Sequence, residues 1–385
     1  MTESPEPSSI DIRPASSVYS TYRRLSYKPW YAIAEFVDNS TQNYIEHKKE
    51  LLAAYKSESK AHKMQVEIAY NEEINTLSVS DNANGMEIEE LTRAIVLDKP
   101  PKNRDGRCEY GMGLKTAACW FGSTWTITTS QLGSKRELSV RIHVPDLVLH
   151  HTEKIAVHER SVQPSSHYTH IKIDGLYKPI IGKTVSRIRD QLGSMYRKDL
   201  RSGEIEILWR GVPVVFEEPP ILEEDLGGRS KTTWKKKIIL EVPWDSKEKT
   251  LKATGWVGIR MPGSQRDAGF ALFRRGRVII GGPGDGYKPV EVFGQANSFR
   301  SQRLIGELDM DSWPVTQAKD AFDWSGGLED AFIEKLQEEC KEYGDKCEGL
   351  RERTKRITYA EMQLASESTQ QAISDVRFGQ AVEQV

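Results

Sequence analysis

Four polar residues that could form a catalytic or metal site interrupt an apolar stretch near the start of the chain. The stretch reads WYAIAEFVDNSTQNY, residues 30–44, and contains Glu35, Asp38, Asn39 and Ser40. Residues three and four positions apart share one face of a helix, so Glu35, Asp38 and Asn39 are predicted to point the same way. Carboxylates placed together in this way can act as general bases. An ordinary amphipathic helix would also present a polar stripe, so this stretch alone does not distinguish a site from a solvent-facing surface.

Two glycine-containing turns follow, each at the end of a predicted element. DNANGM, residues 81–86, ends a strand, and the carboxylate of Asp81 could accept a hydrogen bond from an exocyclic amine. YGMGLKTAA, residues 110–118, opens a helix whose free amides form an anion site, to which Lys115 adds charge. Thr169 begins a later apolar strand. Taken singly, the turns are common loop signals and the threonine is an ordinary strand former.

The composition sets limits on the class of protein. The chain has 385 residues, of which 38% are hydrophobic and 29% charged, and its net charge is −2. The length suggests two domains, and the charge gives no overall attraction to nucleic acid or membranes, so an anionic partner would need a local basic patch. No apolar stretch is long enough to span a bilayer, and the Pro/Ser-rich N-terminus has no apolar signal region. We therefore expect a cytoplasmic protein, or a nuclear one in a eukaryote, with no membrane partner.

The cysteines and histidines do not form a metal-binding pattern. Cys108, Cys119, Cys340 and Cys347 are spaced for neither a zinc site nor a disulfide framework, which favours reduced structural thiols. None of the eight histidines lies at ligand spacing from a cysteine.

The pattern of elements indicates an α+β protein. Hydrophobic periodicity predicts helices over 30–56, 87–95 and 184–200, separated by alternating strands. Between 97 and 113 the chain is rich in Pro, Gly and charge, and the length of this loop suggests a functional one. Predicted strands lie at 64–70, 76–81, 123–130, 137–144, 154–159 and 169–176, and then at 204–209, 212–216, 235–242, 253–260 and 269–280.

Together, and in this order, the motifs resemble the GHKL ATPases, the superfamily of gyrase B, the heat-shock chaperone of the ninety-kilodalton class, histidine kinases and mismatch-repair MutL. EFVDNS is similar to the helix motif, DNANGM to the adenine-binding turn, GMGLK to the turn between lid and helix, and Thr169 to the last nucleotide-binding strand. One departure is Ala83, where the family usually has glycine. The resemblance implies a Bergerat-type ATP-binding α/β sandwich, followed by a ribosomal-S5-like transducer domain and a C-terminal helical tail.

The resemblance also assigns roles. Glu35 would be the general base, Asn39 would bind Mg²⁺ bridged to the phosphates, and Asp81 would bind the adenine amine, supported by Thr169 through water. Residues 97–112 would form a lid over ATP. Further ATP contacts are implied for Asp38, Asn84, Gly85, Met86, Gly111, Met112, Gly113, Leu114, Lys115, Thr116 and Gln317.

A second motif, in residues 304–324, refines the resemblance. Gln317-Ala318-Lys319 is similar to the loop of gyrase B and MutL that brings a lysine to the γ-phosphate, so Lys319 is a second predicted catalytic residue. Microrchidia (MORC) ATPases have a similar Pro-Thr-x-x-Lys-x-x-Phe pattern, matched here at Pro314, Lys319 and Phe322 with an altered interior. The layout is therefore closest to MORC-like ATPases.

The predicted organisation has four parts. Residues 1–24 form an N-terminal arm, either a dimer strap exchanged between protomers or a strap packed on its own domain. Residues 25–178 form the ATPase domain, and residues 179–326 the S5-like transducer. Residues 327–385 form a charged helical tail, whose apolar residues recur with heptad spacing from Ile333 to Leu350. A short packing helix and a coiled coil both fit that spacing.

The predicted partners follow from this layout. The resemblance implies an ATP-dependent homodimer that closes as a clamp, and basic stretches at 228–237 and 274–277, with Arg300 and Arg303, offer a surface for DNA. The tail could bind a protein. The first hypothesis is Mg²⁺-dependent ATP hydrolysis that drives a clamp on DNA, in repair, chromatin compaction or defence. The alternatives are a non-hydrolytic or slow ATP-gated scaffold and a chaperone-like ATPase.

Overall fold

The chain folds into two units, each with its own sheet and its own apolar core. The structure is a computed structural model, and it describes residues 15–57, 63–97, 99, 103, 105–225, 231–244, 249–316 and 319–350. The first unit extends to Glu217 and also includes Arg275–Arg277 and residues 319–320, while the other described residues form the second unit. Both units mix helices and strands, as predicted. Within the described ranges, no helix combines the length and apolar character needed to cross a bilayer.

The first unit is built on an eight-stranded mixed sheet. Its strands are ordered β5-β4-β3-β6-β2-β1-β7-β8, and every neighbouring pair is antiparallel except β1 and β7, which are parallel. The strands are β1 (Met64–Asn71), β2 (Thr76–Asp81), β3 (Gly122–Ser130), β4 (Arg136–His143), β5 (Val157–Ser161), β6 (Tyr168–Leu176), β7 (Ile205–Trp209) and β8 (Val212–Pro213). The helices are α1 (Pro29–Glu46), α2 (Lys48–Ser57), α3 (Ile88–Ile95), α4 (Gly113–Phe121), α5 (Val144–Leu149), α6 (Lys183–Met195) and α7 (Arg197–Ser202).

Helix α1 is the central helix of this unit and accounts for the environment of the polar stretch. It begins with Pro29 at its first turn, where the missing amide costs no helical hydrogen bond. Apolar residues surround it on nearly all sides, so Glu35 and Asp38 are buried together with Phe36 and Val37. The polar residues of α1 therefore do not form the solvent-facing surface of an ordinary amphipathic helix. Buried carboxylates of this kind require hydrogen-bonding or charged partners. The predicted helix over 30–56 is interrupted at His47, where α1 ends and α2 begins.

The described part of the N-terminal arm packs on its own unit. A 3₁₀ helix, Ser16–Arg24, buries Tyr19, whose hydroxyl donates to the carbonyl of Ile95 at 2.5 Å. Trp120 Nε1 donates to the carbonyl of Leu25 at 2.9 Å. These contacts correspond to the strap on its own domain, one of the two predicted arrangements, and residues 1–14 lie outside the described part.

The second unit contains a five-stranded sheet in the order β11-β12-β15-β13-β14, in which β13 and β15 are parallel. Its elements are β9 (Glu223–Asp225), β10 (Lys231–Thr233), β11 (Lys235–Trp244), β12 (Lys249–Ile259), β13 (Gly269–Arg274), β14 (Arg277–Ile280), α8 (Val290–Phe293), α9 (Phe299–Arg303) and β15 (Leu304–Asp309). Residues 328–350 are helical. One face of this helix lies in the core of the unit, through Leu328, Phe332, Leu336, Cys340, Tyr343, Cys347 and Leu350.

Two predicted boundaries differ from those of the structure. The first unit extends past residue 178 to Glu217, because β7 pairs with β1 and Tyr196 is fully buried in the first core. The heptad spacing after residue 327 reflects a helix packed within the second unit rather than a separate tail, as far as residue 350. The rest of the predicted tail, residues 351–385, lies outside the described residues.

Candidate functional site

A cavity of about 700 Å³ lies within the first unit, between α1, β2, the 97–112 loop, α4 and β6. Lys319 and Asp320 complete its wall. Most of the residues predicted to contact ATP line this cavity, although they span nearly three hundred positions of sequence: Glu35, Asn39, Asp81, Met86, Gly111, Met112, Gly113, Leu114, Thr116, Thr169 and Lys319.

Asp81 is held rigidly at one side of the cavity. It lies opposite Thr169 across the β2–β6 ladder, and its Oδ1 accepts from the amides of Thr169 (3.1 Å) and Ala83 (3.0 Å). Ser40 Oγ donates to the other oxygen at 2.5 Å. Burial raises the pKa of Asp81 above its usual value, against the opposing effect of these hydrogen bonds. The result is a fixed, partly desolvated acceptor at the cavity wall.

The rest of the DNANGM turn supports this wall through hydrogen bonds outside the cavity. Asn43 Oδ1 accepts from the amide of Asn84 at 2.7 Å, and Asn43 Nδ2 donates to the carbonyl of Gly85 at 3.2 Å. Gly85 has φ +75°, and a Cβ there would lie 1.9 Å from the carbonyl oxygen of Ser130. Asn84 and Gly85 therefore support the turn and do not line the cavity. Ala83 does not have a positive φ, so alanine is compatible with its backbone.

Glu35 and Asp38 form a buried cluster with two cations, which we call the charge cluster: Glu35, Asp38, Arg277 and Lys319. Lys319 Nζ lies 3.0 Å from Glu35 Oε2 and 3.2 Å from Asp38 Oδ2. Arg277 Nη1 donates to Asp38 Oδ2 and lies 3.5 Å from Glu35 Oε1. Tyr196 Oη donates to Asp38 Oδ1 at 2.8 Å. Asp38 was predicted to contact ATP, but it is fully buried and does not line the cavity. Glu35, in contrast, does line the cavity.

Burial and neighbouring charges shift the pKa values of Asp38, Lys319 and Arg277. Burial by itself raises the pKa of Asp38, but Arg277, Lys319 and Arg107 together lower it by more, so this pKa lies below its usual value. Burial lowers the pKa of Lys319 and of Arg277, yet the neighbouring carboxylates raise both pKa values above the usual ones. Asp38, Lys319 and Arg277 are therefore all held in their charged forms.

The turn that opens α4 brings backbone close to Glu35. A Cβ on Gly113 would lie 1.8 Å from Glu35 Oε2, so the carboxylate rests directly on this glycine. Gly111 has φ +65°, a conformation that favours glycine. The free amides and the positive end of the α4 dipole favour an anion here. The predicted phosphate turn and the predicted base thus lie side by side.

Lys115 is not part of this phosphate turn, contrary to the prediction. Its Nζ donates to the carbonyls of Val96 (2.7 Å) and Arg93 (3.2 Å) at the end of α3, and the side chain does not line the cavity. Two residues along a helix rotate a side chain by about 200°, so Lys115 points away from the face of Gly113. Carbonyls at a helix C-terminus attract a cation. Burial lowers the pKa of Lys115 to about 8.

One residue of the predicted lid is anchored by a buried ion pair. Arg107 donates to Asp199 through Nη1 (2.7 Å) and Nη2 (3.0 Å) and to Thr41 Oγ1 at 3.0 Å. Its backbone amide donates to Gln42 Oε1 at 2.9 Å, and its carbonyl accepts from Lys319 Nζ at 3.1 Å. The end of the lid near α4 is therefore tied to α1, α7 and the charge cluster.

Asn39 has a side chain that fits the predicted Mg²⁺ site. Its Nδ2 donates to the backbone carbonyl of Glu35, one helical turn back, which orients the carboxamide. Its Oδ1 accepts only a long hydrogen bond among described residues, from Cys108 Sγ at 3.4 Å, and the residue lines the cavity. Mg²⁺ is commonly bound by one or two protein oxygens, with phosphates and waters completing its shell, so this donor fits.

Two arginines of residues 274–277, which are predicted to offer a surface for DNA, make contacts within the first unit instead. The side chain of Arg277 is only 1% exposed and belongs to the charge cluster, and Arg275 donates to the carbonyl of Gly106. Arg300 pairs with Asp345 and Glu348, and Arg303 is buried.

The other basic stretch is only partly described. Within residues 228–237, positions 228–230 lie outside the described ranges. Lys236 pairs with Glu339 at 3.2 Å, and Lys235 lies over the ring of Trp256 at 3.9 Å. Gln317, predicted to contact ATP, also lies outside the described ranges.

The residues that the sequence did not point to include four in the charge cluster and its contacts: Arg107, Tyr196, Asp199 and Arg277. Arg277 was assigned to a surface patch because RRGR is indistinguishable in sequence from a solvated basic stretch. Arg107 lies in a loop with little to bury, and Tyr196 and Asp199 lie in a region interpreted as the next domain. Each of these residues contacts a partner that is distant in the sequence, and no local sequence pattern identifies that partner.

Residues 27–169 match the family model described as "Histidine kinase-, DNA gyrase B-, and HSP90-like ATPase". The matched segment includes α1, the turn at residues 81–86, the 97–112 loop and α4, and it ends at Thr169. This segment is therefore similar to the GHKL ATPases, and the match supports ATP binding and hydrolysis in general. No curated protein sequence matches the chain.

Proposed function

We propose that this chain is an Mg²⁺-dependent ATPase whose catalytic base is Glu35. The observation that carries the proposal is that one cavity joins a fixed buried acceptor, Asp81, with Glu35, Asn39 and Lys319 at the N-terminus of α4. A nucleotide placed there would have its adenine at Asp81 and its phosphates at Gly111–Gly113, where the amides and the helix dipole favour negative charge.

Each residue has a defined part in this proposal. Glu35 accepts a proton from water as the water oxygen bonds to the γ-phosphorus and the bond to the bridging oxygen of ADP breaks, giving ADP and phosphate. Lys319 stabilises the charge that develops on the transferred group. Asn39 would hold Mg²⁺, which supplies charge neutralisation at the phosphates when it is bound.

A slow or non-hydrolytic ATP-gated scaffold is the second candidate, and one observation favours it. Glu35 is bound by Lys319 and lies close to Arg277, so its carboxylate is occupied by cations in this structure. Hydrolysis requires Lys319 to leave Glu35 for the phosphate. Turnover by the wild type would exclude a strictly non-hydrolytic scaffold.

The test is ATP hydrolysis by the wild type, by Glu35→Gln and by Glu50→Gln, each with Mg²⁺ and with EDTA. Glu50 is exposed on α2 and provides the matched control. We expect Glu35→Gln to lower kcat by at least about 100-fold, the usual contribution of a general base. Equal turnover by wild type and Glu35→Gln would overturn the assignment.

The finer features stay predictions. These are the MORC-like subfamily, the S5-like identity of the second unit, ATP-dependent dimerisation, and action on DNA or a protein partner. The same assay with and without duplex DNA, with oligomeric state measured by light scattering, tests the clamp. Accumulation of a dimer by Glu35→Gln with ATP would support it, and a monomer under all conditions would contradict it.

A further inference from the structure

The charge cluster contains two carboxylates and two cations in an almost dry environment. Glu35, Asp38, Arg277 and Lys319 are between 0% and 7% exposed. Glu35 and Asp38 are one turn apart on α1, so their charges repel, and Asp38, which does not line the cavity, must be balanced by groups of the protein. If one cation leaves, the other must hold both carboxylates.

The two cations differ in their access to the cavity. Lys319 lines it, and Arg277 does not. Lys319 is therefore the cation that a bound phosphate could attract, while Arg277 lies behind the carboxylates.

The two cations also differ in how many of their N–H groups lack a hydrogen-bond acceptor. An ammonium group has three hydrogens, and Lys319 Nζ has three acceptors: Glu35 Oε2, Asp38 Oδ2 and the carbonyl of Arg107. A guanidinium has five, and within the described residues Arg277 uses Nη1 while its Nε and Nη2 have no hydrogen-bond partner. Arg277 therefore has unused donors for the carboxylate oxygens that Lys319 would release.

We infer that Arg277 is a positioning residue of the ATP site: it retains Glu35 and Asp38 when Lys319 moves to the γ-phosphate, and so makes Lys319 available. The inference rests on the proposed function. Without Arg277, Lys319 is the only cation of this cluster on two buried carboxylates, and its departure leaves them unpaired. Such a loss is large for buried pairs, so Lys319 stays with Glu35 and Asp38.

The ratio of the affinities for a nucleoside triphosphate and a diphosphate measures how readily Lys319 leaves the carboxylates. Only the triphosphate offers a γ-phosphate to Lys319. The experiment measures the Kd of the non-hydrolysable β,γ-imido analogue of ATP and the Kd of ADP by calorimetry, with Mg²⁺ and the full chain. The variants are Arg277→Gln, Arg277→Lys, Lys319→Ala and the double variant Arg277→Gln/Lys319→Ala. Arg266→Gln is the control, since Arg266 is 61% exposed in the second unit.

We expect Arg277→Gln to reduce the preference for the triphosphate by about tenfold or more, with ADP affinity nearly unchanged. Arg277→Lys retains the charge but lacks the unused guanidinium donors, so its preference should lie between those of the wild type and of Arg277→Gln. Lys319→Ala should lose the preference, and adding Arg277→Gln to it should change nothing further, because Arg277 acts through Lys319. A wild-type preference in Arg277→Gln, or an equal loss of affinity for both nucleotides by a folded protein, would overturn the inference.

A second variant covers the case in which Arg277→Gln does not fold. Asp38→Asn/Arg277→Gln removes one charge of each sign and leaves Lys319 as the only cluster cation on Glu35, so its triphosphate preference should also be low. A wild-type preference in that variant overturns the inference. If the wild type binds neither nucleotide, the proposed function falls together with the inference, whereas wild-type hydrolysis with an unchanged Arg277→Gln preference removes the inference alone.

Discussion

Lys319 and Glu35 are hydrogen-bonded to each other at 3.0 Å, although 284 positions separate them in the chain. The resemblance to known ATPases implies catalytic roles for both residues but with different partners. Lys319 would contact a phosphate, and Glu35 would contact a water molecule. In this structure each neutralises the other in a buried site. Under the proposed function, Lys319 must exchange the carboxylate of Glu35 for a phosphate during catalysis.

Gly113→Ala should uncouple stability from activity. The new Cβ would lie 1.8 Å from Glu35 Oε2, so the carboxylate must move, while the backbone of Gly113 does not require a positive φ. We expect kcat for ATP hydrolysis to fall by about 100-fold, as for loss of a general base, with the thermal midpoint nearly unchanged.

Gly349→Ala is the matched control for that substitution. Nothing lies within 4 Å of a Cβ at this helical position, so the change should stabilise the chain by up to about 1 kcal/mol without affecting turnover. Wild-type turnover by Gly113→Ala would show that the position of Glu35 is not critical.

Asp81→Asn should weaken ATP binding and shift base preference. The amide keeps one oxygen for the backbone amides of Thr169 and Ala83 but places a donor where Asp81 has an acceptor. A donor facing the exocyclic amine of adenine is unfavourable, whereas the carbonyl of guanine can accept from it. ATP affinity should fall by about 100-fold, and GTP affinity by less.

Calorimetry with both nucleotides measures this shift. Asp174→Asn, on the exposed part of β6, serves as control and should leave both affinities unchanged. An equal loss of ATP and GTP affinity in Asp81→Asn would contradict adenine recognition by this carboxylate.

Asp199→Asn should release the lid from α7. Arg107 would lose the carboxylate that accepts from both of its terminal nitrogens, and the side chain of Arg107 is only 4% exposed. Breaking a buried pair from one side costs about 3 kcal/mol or more, and urea unfolding should show a loss of this size.

The surface pair Lys48–Glu204 provides the comparison for Asp199. Both side chains are more than 40% exposed, so Glu204→Gln should cost less than about 1 kcal/mol. Limited proteolysis within residues 97–112 should accelerate for Asp199→Asn only. Equal losses of stability in the two variants would mean that the Arg107–Asp199 pair is not special to the lid.

Lys115→Met should change the pH dependence of stability. The native pKa of Lys115 is lowered by burial to about 8, against 10.5 for an unburied lysine. Between these two values the unfolded chain holds a proton that the native chain has released, so the lysine's contribution to native stability improves as pH rises. The methionine variant lacks this contribution.

Urea unfolding of both proteins from pH 7 to pH 10.5 tests this sign. The stability of the wild type relative to Lys115→Met should rise across the range, whatever the offset caused by losing the hydrogen bonds to Val96 and Arg93. Parallel pH profiles for the two proteins would show that Lys115 is not desolvated in the native state.

The superfamily could be recognised from sequence because its motifs are local. Glu35, Asp38 and Asn39 are spaced by the helical period, and Asp81 and Gly111–Gly113 lie in short turns whose residue types suit their backbone. Such patterns are set by neighbours in the chain, so they predicted the main element types, and most of the site residues predicted from them line the cavity.

Lys115 shows where a local pattern misleads. It follows a phosphate-type turn in sequence, but the helix rotates its side chain toward the carbonyls that end α3. The boundary at Glu217 was missed for a related reason, since the parallel pairing of β7 with β1 joins segments more than a hundred residues apart.

By itself, the sequence predicted an α+β protein, a resemblance to ATPases and several polar residues that line one cavity. Tertiary structure alone decided which charges meet. Arg277, which as sequence is typical of a DNA-binding surface, is buried against Asp38, and Lys319 is bonded to Glu35. The physical reason is that a buried charge must find an opposite charge wherever the fold brings one, and the position of that partner is not encoded in local spacing.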